Sequence, residues 1–136
     1  MKGFLKKGYK IAARRLLQKE IIKRSCRISF FAALACIEYL ATTTRQIEVI
    51  VHSWDKLNHL VAFVVLYLLL SAAFGRFKIW TRVMLLMVFA VQIELVQHFI
   101  PGREFSLLDI VADAIGIVIG WGIWQLMREK LEIRNQ

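Results

Sequence analysis

The chain has 136 residues, of which 58% are hydrophobic, and it contains two cysteines and one proline. Its mean hydropathy of +0.55 is too high for a disordered segment, and two cysteines are too few for a disulfide-rich domain. The formal net charge is +9, but ten of the 19 Lys and Arg residues lie in residues 1–27. A basic end joined to long apolar stretches is typical of a membrane protein and argues against a nucleic-acid partner.

Residues 1–27 are predicted to form a basic amphipathic helix. Apolar residues recur there at spacings of three and four, and lysines and arginines occupy the remaining positions. We expect this segment to lie on the cytoplasmic membrane surface, where each basic residue contributes about 1 kcal/mol of attraction to anionic lipid. The alternative is that the charges only orient the first membrane span.

Four apolar segments follow, at about residues 28–43, 57–74, 79–100 and 107–127. The last three can each cross a hydrocarbon core of about 30 Å, whereas the first is short and contains Glu38. Short loops make successive helices antiparallel. The predicted fold is therefore all-α: a polytopic membrane protein with a four-transmembrane-helix bundle in residues 28–127. The basic helix precedes the bundle, and a short cytoplasmic tail, residues 128–136, follows it.

The distribution of basic residues predicts the orientation in the membrane. If the N-terminus is cytoplasmic, 16 of the 19 Lys and Arg residues fall on the cytoplasmic side, and only Arg45, Lys56 and Arg103 fall outside. Basic residues are enriched in cytoplasmic loops. We therefore expect a multi-pass protein of the bacterial cytoplasmic (inner) membrane with both termini in the cytoplasm.

Polar residues gather at the predicted outer ends of the second, third and fourth spans. The set comprises Asp55, Lys56, His59, Glu94, Gln97, Arg103, Ser106, Asp109 and Asp113. An ionisable group near the centre of a span costs about 2.5–3.5 kcal/mol on insertion scales, and such groups usually face the bundle interior. We expect this set to surround one cavity at the outer interface, with Glu94 deepest.

Two further features of the fourth span concern its start and its packing. Ser106 is suited to the N-cap position of the span. Gly116 and Gly120 form a small-xxx-small pair, which lets another helix approach closely. The carboxylates of the fourth span would then lie within reach of the second or third span.

Two other interpretations of the polar set are open. The set has only a structural role if Lys56 and Arg103 do no more than neutralise the acidic side chains. A metal site could use imidazole and carboxylate ligands, here from His59, Glu94, Asp109 and Asp113. No compact ligand spacing supports a metal site, so no metal and no other cofactor is assigned. The sequence also contains no nucleophile signature, phosphate-binding loop or dinucleotide fingerprint.

An ordered series of residues resembles the VanZ-like family of small bacterial membrane proteins. The matching residues are Asp55, Lys56, His59, Glu94, Gln97, Pro101, Gly102, Arg103, Ser106, Leu107, Leu108, Asp109, Gly116 and Gly120. The resemblance covers about residues 54–127 and leaves out the basic head; Asp113 stands where the family usually has Asn. It implies a multi-pass cell-envelope protein. The family's named member is associated with resistance to teicoplanin, a lipid-bearing glycopeptide antibiotic.

Two functions remain in competition. In the first, the outer site binds or modifies a lipid-linked or other amphiphilic envelope component among the membrane lipids. Arg103 and Lys56 would hold an anionic group, Glu94 or His59 would act as a base, and the other polar residues would bind the ligand. In the second, the chain is a non-catalytic accessory subunit or assembly factor of a larger membrane protein complex. A transporter is a third interpretation, which no internal repeat supports.

Overall fold

The computed structural model describes residues 2–43, 55–101 and 105–134. These ranges contain four α-helices and no strand: α1 (Lys2–Thr42), α2 (Asp55–Ala73), α3 (Ile79–His98) and α4 (Leu107–Arg134). Side chains are described for residues 11–43, 56–101 and 105–133. Each helix contains a stretch that is long and apolar enough to cross a membrane. The predicted all-α polytopic fold is thereby confirmed.

Helix α1 joins the basic head to the first span without a break. It has 41 residues, so the predicted boundary at residue 27 does not coincide with the end of a helix. At a rise of 1.5 Å per residue, a straight helix of this length extends about 60 Å, about twice the hydrocarbon thickness of a bilayer. Residues 11–25 are exposed. Their location on the membrane surface stays a prediction.

Helix α4 extends seven residues beyond the predicted end of the fourth span. It ends at Arg134, so most of the predicted tail, residues 128–136, belongs to this helix. No glycine or proline interrupts the segment, and Arg128 forms an ion pair with Glu132, one turn later, at 3.6 Å. Both features favour continuation of the helix. Helix α3 is slightly shorter than predicted and ends at His98.

Helix α2 is the centre of the bundle. It contacts each of the other three helices and packs most extensively against α4. Its buried side chains are Phe63, Leu66, Tyr67, Leu70, Ser71 and Ala73. By contrast, large apolar side chains on the outer surfaces of all four helices are exposed. An apolar exterior of this kind is suited to contact with lipid.

The close contact between α2 and α4 occurs at the predicted glycine pair. A Cβ atom at Gly120 would lie 2.8 Å from the Cβ atom of Tyr67 and 3.1 Å from the carbonyl oxygen of Val64. A Cβ atom at Gly116 would clash with the carbonyl oxygen of Leu60. The two helices therefore approach so closely at these positions that only glycine fits.

A buried arginine connects α2 and α3 at the end of the bundle where α2 ends. Arg82 donates hydrogen bonds to the hydroxyl of Ser71 at 3.1 Å and to the carbonyl oxygen of Gly75 at 3.2 Å. The sequence indicates only a cytoplasmic positive charge at Arg82, yet the side chain of this residue is buried. Cations near a helix C-terminus stabilise its unpaired carbonyl groups, and Arg82 has this position relative to α2.

Candidate functional site

Four polar side chains from three helices meet inside the bundle. They are His59 of α2, Glu94 of α3, and Asp109 and Asp113 of α4, and we call them the polar cluster. Glu94 and Asp113 are fully buried, and Asp109 is 9% exposed. The cluster lies at the end of the bundle where α2 begins, α3 ends and α4 begins, as expected from alternating helix directions.

A hydrogen bond links α2 and α4 within the cluster. The Nδ1 atom of His59 lies 3.1 Å from Oδ1 of Asp113. The other carboxylate oxygen of Asp113, Oδ2, is buried and has no hydrogen-bond partner among the described residues. Gly116 lies one turn after Asp113, and Leu60 lies next to His59 in the chain. The close approach of the two helices at Gly116 therefore also brings His59 and Asp113 together.

A second contact links α3 to the start of α4. The backbone N–H of Ser106 donates a hydrogen bond to Oε2 of Glu94 at 2.9 Å. Helix α4 begins at the next residue, so Ser106 occupies the predicted N-cap position, and its carbonyl oxygen accepts from the N–H of Asp109 at 3.1 Å. The Glu94 carboxylate thus fixes the start of α4 by accepting a hydrogen bond from a backbone N–H. Side-chain patterns in the sequence do not predict this role.

The cluster lies near the helix ends rather than at the middle of the bundle. His59 and Glu94 are each four residues from the nearest end of their helix, which is about 6 Å along the axis. Asp113 is six residues, or about 9 Å, from the start of α4. We expected Glu94 to be the deepest residue, but measured along its own helix Asp113 lies further from the end.

The fold also makes the cluster compact. One nitrogen or oxygen atom each from His59, Glu94 and Asp109 lie within 4.8 Å of one another. In the sequence these residues are 35 and 15 positions apart, which is why ligand spacing showed no metal site. Three atoms of this type at this separation can hydrogen-bond a common polar group or bind a cation.

Of the other predicted site residues, some are buried, some are exposed and some lie outside the described residues. Gln97 is buried on α3, one turn after Glu94. Lys56 is exposed, and it forms no ion pair with any described side chain. The side chain of Asp55 and the whole of Arg103 lie outside the described residues. The predicted binding of an anion by Lys56 and Arg103 therefore stays a prediction.

One polar contact between helices is not predictable from the sequence. Gln92 of α3 donates a hydrogen bond to Oε1 of Glu38 in α1 at 3.0 Å, while Oε2 of Glu38 is buried without a partner among the described residues. In the sequence, Glu38 is only an interruption of the first apolar span. An ionisable residue in a span is expected to have a partner, but no sequence spacing indicates which residue of another helix it is.

The helices and the buried polar cluster together define a multi-pass α-helical membrane protein. A family model described as VanZ/LLP1 matches residues 10–128, and the chain belongs to this family. The match includes most of the basic head, which we expected to lie outside the family resemblance. Neither a curated protein nor a solved structure matches the chain significantly.

Proposed function

We propose that this VanZ-family membrane protein uses the polar cluster to bind, or to modify, the head group of an amphiphilic cell-envelope component. The observation that carries the proposal is the convergence of one imidazole and three carboxyl groups from three helices of an apolar bundle. Ionisable groups buried within membrane spans are costly and commonly belong to functional sites. His59, with a side chain that is 12% exposed, connects the cluster to the surface.

The surroundings of the cluster favour a ligand with both polar and apolar parts. Exposed leucines lie on the same ends of the three helices as the cluster, and they are Leu57, Leu95, Leu107 and Leu108. A lipid-linked molecule would place its polar head against the cluster and its chain along these side chains. In a modifying reaction, Glu94 or His59 would accept a proton from the head group.

We also propose the orientation that places the cluster in the outer leaflet of the bacterial inner membrane, with both termini in the cytoplasm. The support for this orientation is the excess of basic residues at the opposite side of the bundle.

A cysteine introduced at Glu104 is expected to report the outer side of the membrane. In a background with Cys26→Ser and Cys36→Ser, a membrane-impermeant maleimide should label Glu104→Cys in intact spheroplasts. The matched control is Glu129→Cys in α4, which should be labelled only after the membrane is opened. The reverse pattern would overturn the orientation and move the cluster to the inner leaflet.

The ligand itself is expected to remain bound when the protein is extracted together with native lipid. Mass spectrometry of protein in polymer-bounded native membrane discs should show one class of amphiphile enriched over bulk membrane lipid. Expression of the protein should also reduce the sensitivity of its host to teicoplanin more than it reduces the sensitivity to a glycopeptide without a lipid chain. Bulk lipid alone, together with a stoichiometric co-purifying protein, would instead favour the accessory-subunit function.

A further inference from the structure

The polar cluster contains the elements of a metal site. One nitrogen or oxygen atom each from His59, Glu94 and Asp109 lie within 4.8 Å of one another. Neighbouring donor atoms of one ion are about 3.0–3.8 Å apart when each metal–ligand distance is about 2.1–2.3 Å. Each pair of donor atoms therefore has to approach by at most about 1–2 Å to share one ion, a shift that rotation of the side chains can provide.

The position of Asp113 is that of a carboxylate that orients a metal-binding histidine. Its Oδ1 atom lies 3.1 Å from Nδ1 of His59, and its side chain is fully buried. A carboxylate in this position holds the proton on Nδ1 and so places the lone pair of the ring on Nε2. Metal-binding histidines commonly have this arrangement, in which the outer carboxylate fixes the tautomer and the ring orientation.

A buried, unpartnered oxygen of Asp113 provides an independent indication that the cluster binds a further group. Oδ2 of Asp113 is fully buried and has no hydrogen-bond partner among the described residues. Among the residues whose side chains the structure describes, no Lys or Arg forms an ion pair with Asp109 or Asp113. Protonation of His59 would supply one positive charge beside Asp109 and Asp113. A divalent cation would supply two at once and would leave the imidazole neutral.

We propose that His59, Glu94 and Asp109 bind one divalent transition-metal ion, with Asp113 positioning His59. One imidazole and two carboxylates suit Zn²⁺ or Mn²⁺, whereas Mg²⁺ and Ca²⁺ prefer oxygen ligands alone. Three protein ligands leave at least one coordination position for water or for an oxygen of a ligand head group. Binding of a head-group oxygen at that position rests on the proposed function, whereas binding of the ion does not.

The test measures metal binding directly on tag-free protein in detergent after treatment with a chelator. Isothermal titration with Zn²⁺ and with Mn²⁺ should show one ion per chain, and Mg²⁺ should bind at least about tenfold more weakly. His59→Gln and Asp109→Asn should abolish high-affinity binding. Asp113→Asn should weaken it by about 10–100-fold, as expected for a residue that acts through a metal ligand. Glu38→Gln, which changes a carboxylate of the bundle outside the cluster, should bind as the native protein does.

Several outcomes would overturn the proposal. Native protein that binds none of these ions contradicts it, as does equal binding by native protein and by folded His59→Gln. If the variants fail to fold, the visible absorption of Co²⁺ added to native protein decides the matter, because an imidazole–carboxylate site gives a spectrum unlike that of hydrated Co²⁺. Enrichment of an amphiphile without metal binding would refute only this inference, and metal binding without enrichment would refute only the proposed function.

Discussion

Replacing Gly116 with valine is expected to destabilise the folded bundle by about 1–3 kcal/mol or more, the usual cost of overpacking a close contact. A Cβ atom at this position would clash with the carbonyl oxygen of Leu60 and would lie 3.1 Å from Cβ of Phe63. The carbonyl of Leu60 belongs to the backbone of α2 and cannot rotate away, so the two helices must separate. Chemical unfolding in mixed micelles, followed by circular dichroism, measures this loss.

The matched control is Gly122→Val, six residues later in the same helix. A Cβ atom at Gly122 would have no neighbouring atom within 4 Å, so this change alters helix propensity without affecting the packing. Valine is a better helix former than glycine, so we expect the control to be neutral or slightly stabilising. Equal destabilisation by both substitutions would mean that the α2–α4 contact does not depend on the small residue at 116.

The second large effect is expected from Glu94→Gln, which keeps the shape of the side chain and removes its charge. The amide oxygen of glutamine can still accept the hydrogen bond from the Ser106 N–H, so stability should change by less than about 1 kcal/mol. The amount of enriched amphiphile recovered with the protein should fall at least about tenfold, because hydrogen bonds to a charged group are worth about 1.5–3 kcal/mol.

Two further variants separate a functional role of Glu94 from a structural one. Glu94→Leu leaves the Ser106 N–H without this acceptor and should destabilise the bundle by about 1–3 kcal/mol, which Glu94→Gln should not. Glu38→Gln changes a bundle carboxylate outside the cluster and should leave amphiphile recovery unchanged. If the cluster had only a structural role, Glu94→Gln would leave amphiphile recovery at the native level, while Arg103→Ala would destabilise the bundle.

The number of helices and the all-α fold class were predictable from local features of the sequence. Three of the four predicted spans needed only length and hydropathy, because a helix that crosses a bilayer must satisfy its backbone groups internally. Helix ends were less predictable. Residues 128–134 read as a charged tail but continue α4, since nothing in them stops a helix and an i, i+4 ion pair supports it. The head and the first span read as two segments but form one helix.

The candidate site was predictable as a set of residue types at one end of the bundle. Ionisable residues in apolar spans and the alternation of helix directions were sufficient to place His59, Glu94, Asp109 and Asp113 together. The glycine pair also indicated a close helix contact, although not which helix takes part. The sequence did not indicate the Glu38–Gln92 contact or the role of Arg82, because these pairings depend on how helices rotate about their axes.

The sequence by itself determined that the chain is an all-α, multi-pass membrane protein with polar residues gathered at one end of its spans. Hydropathy and helical periodicity act within a segment, and both can be read along the chain. Only the tertiary structure decided that α4 packs against α2 at Gly116 and Gly120, that Asp113 pairs with His59, and that Glu94 holds the start of α4. These contacts depend on which faces of separate helices meet. That choice results from close packing and pairing of buried polar groups across the whole bundle, and no single segment specifies it.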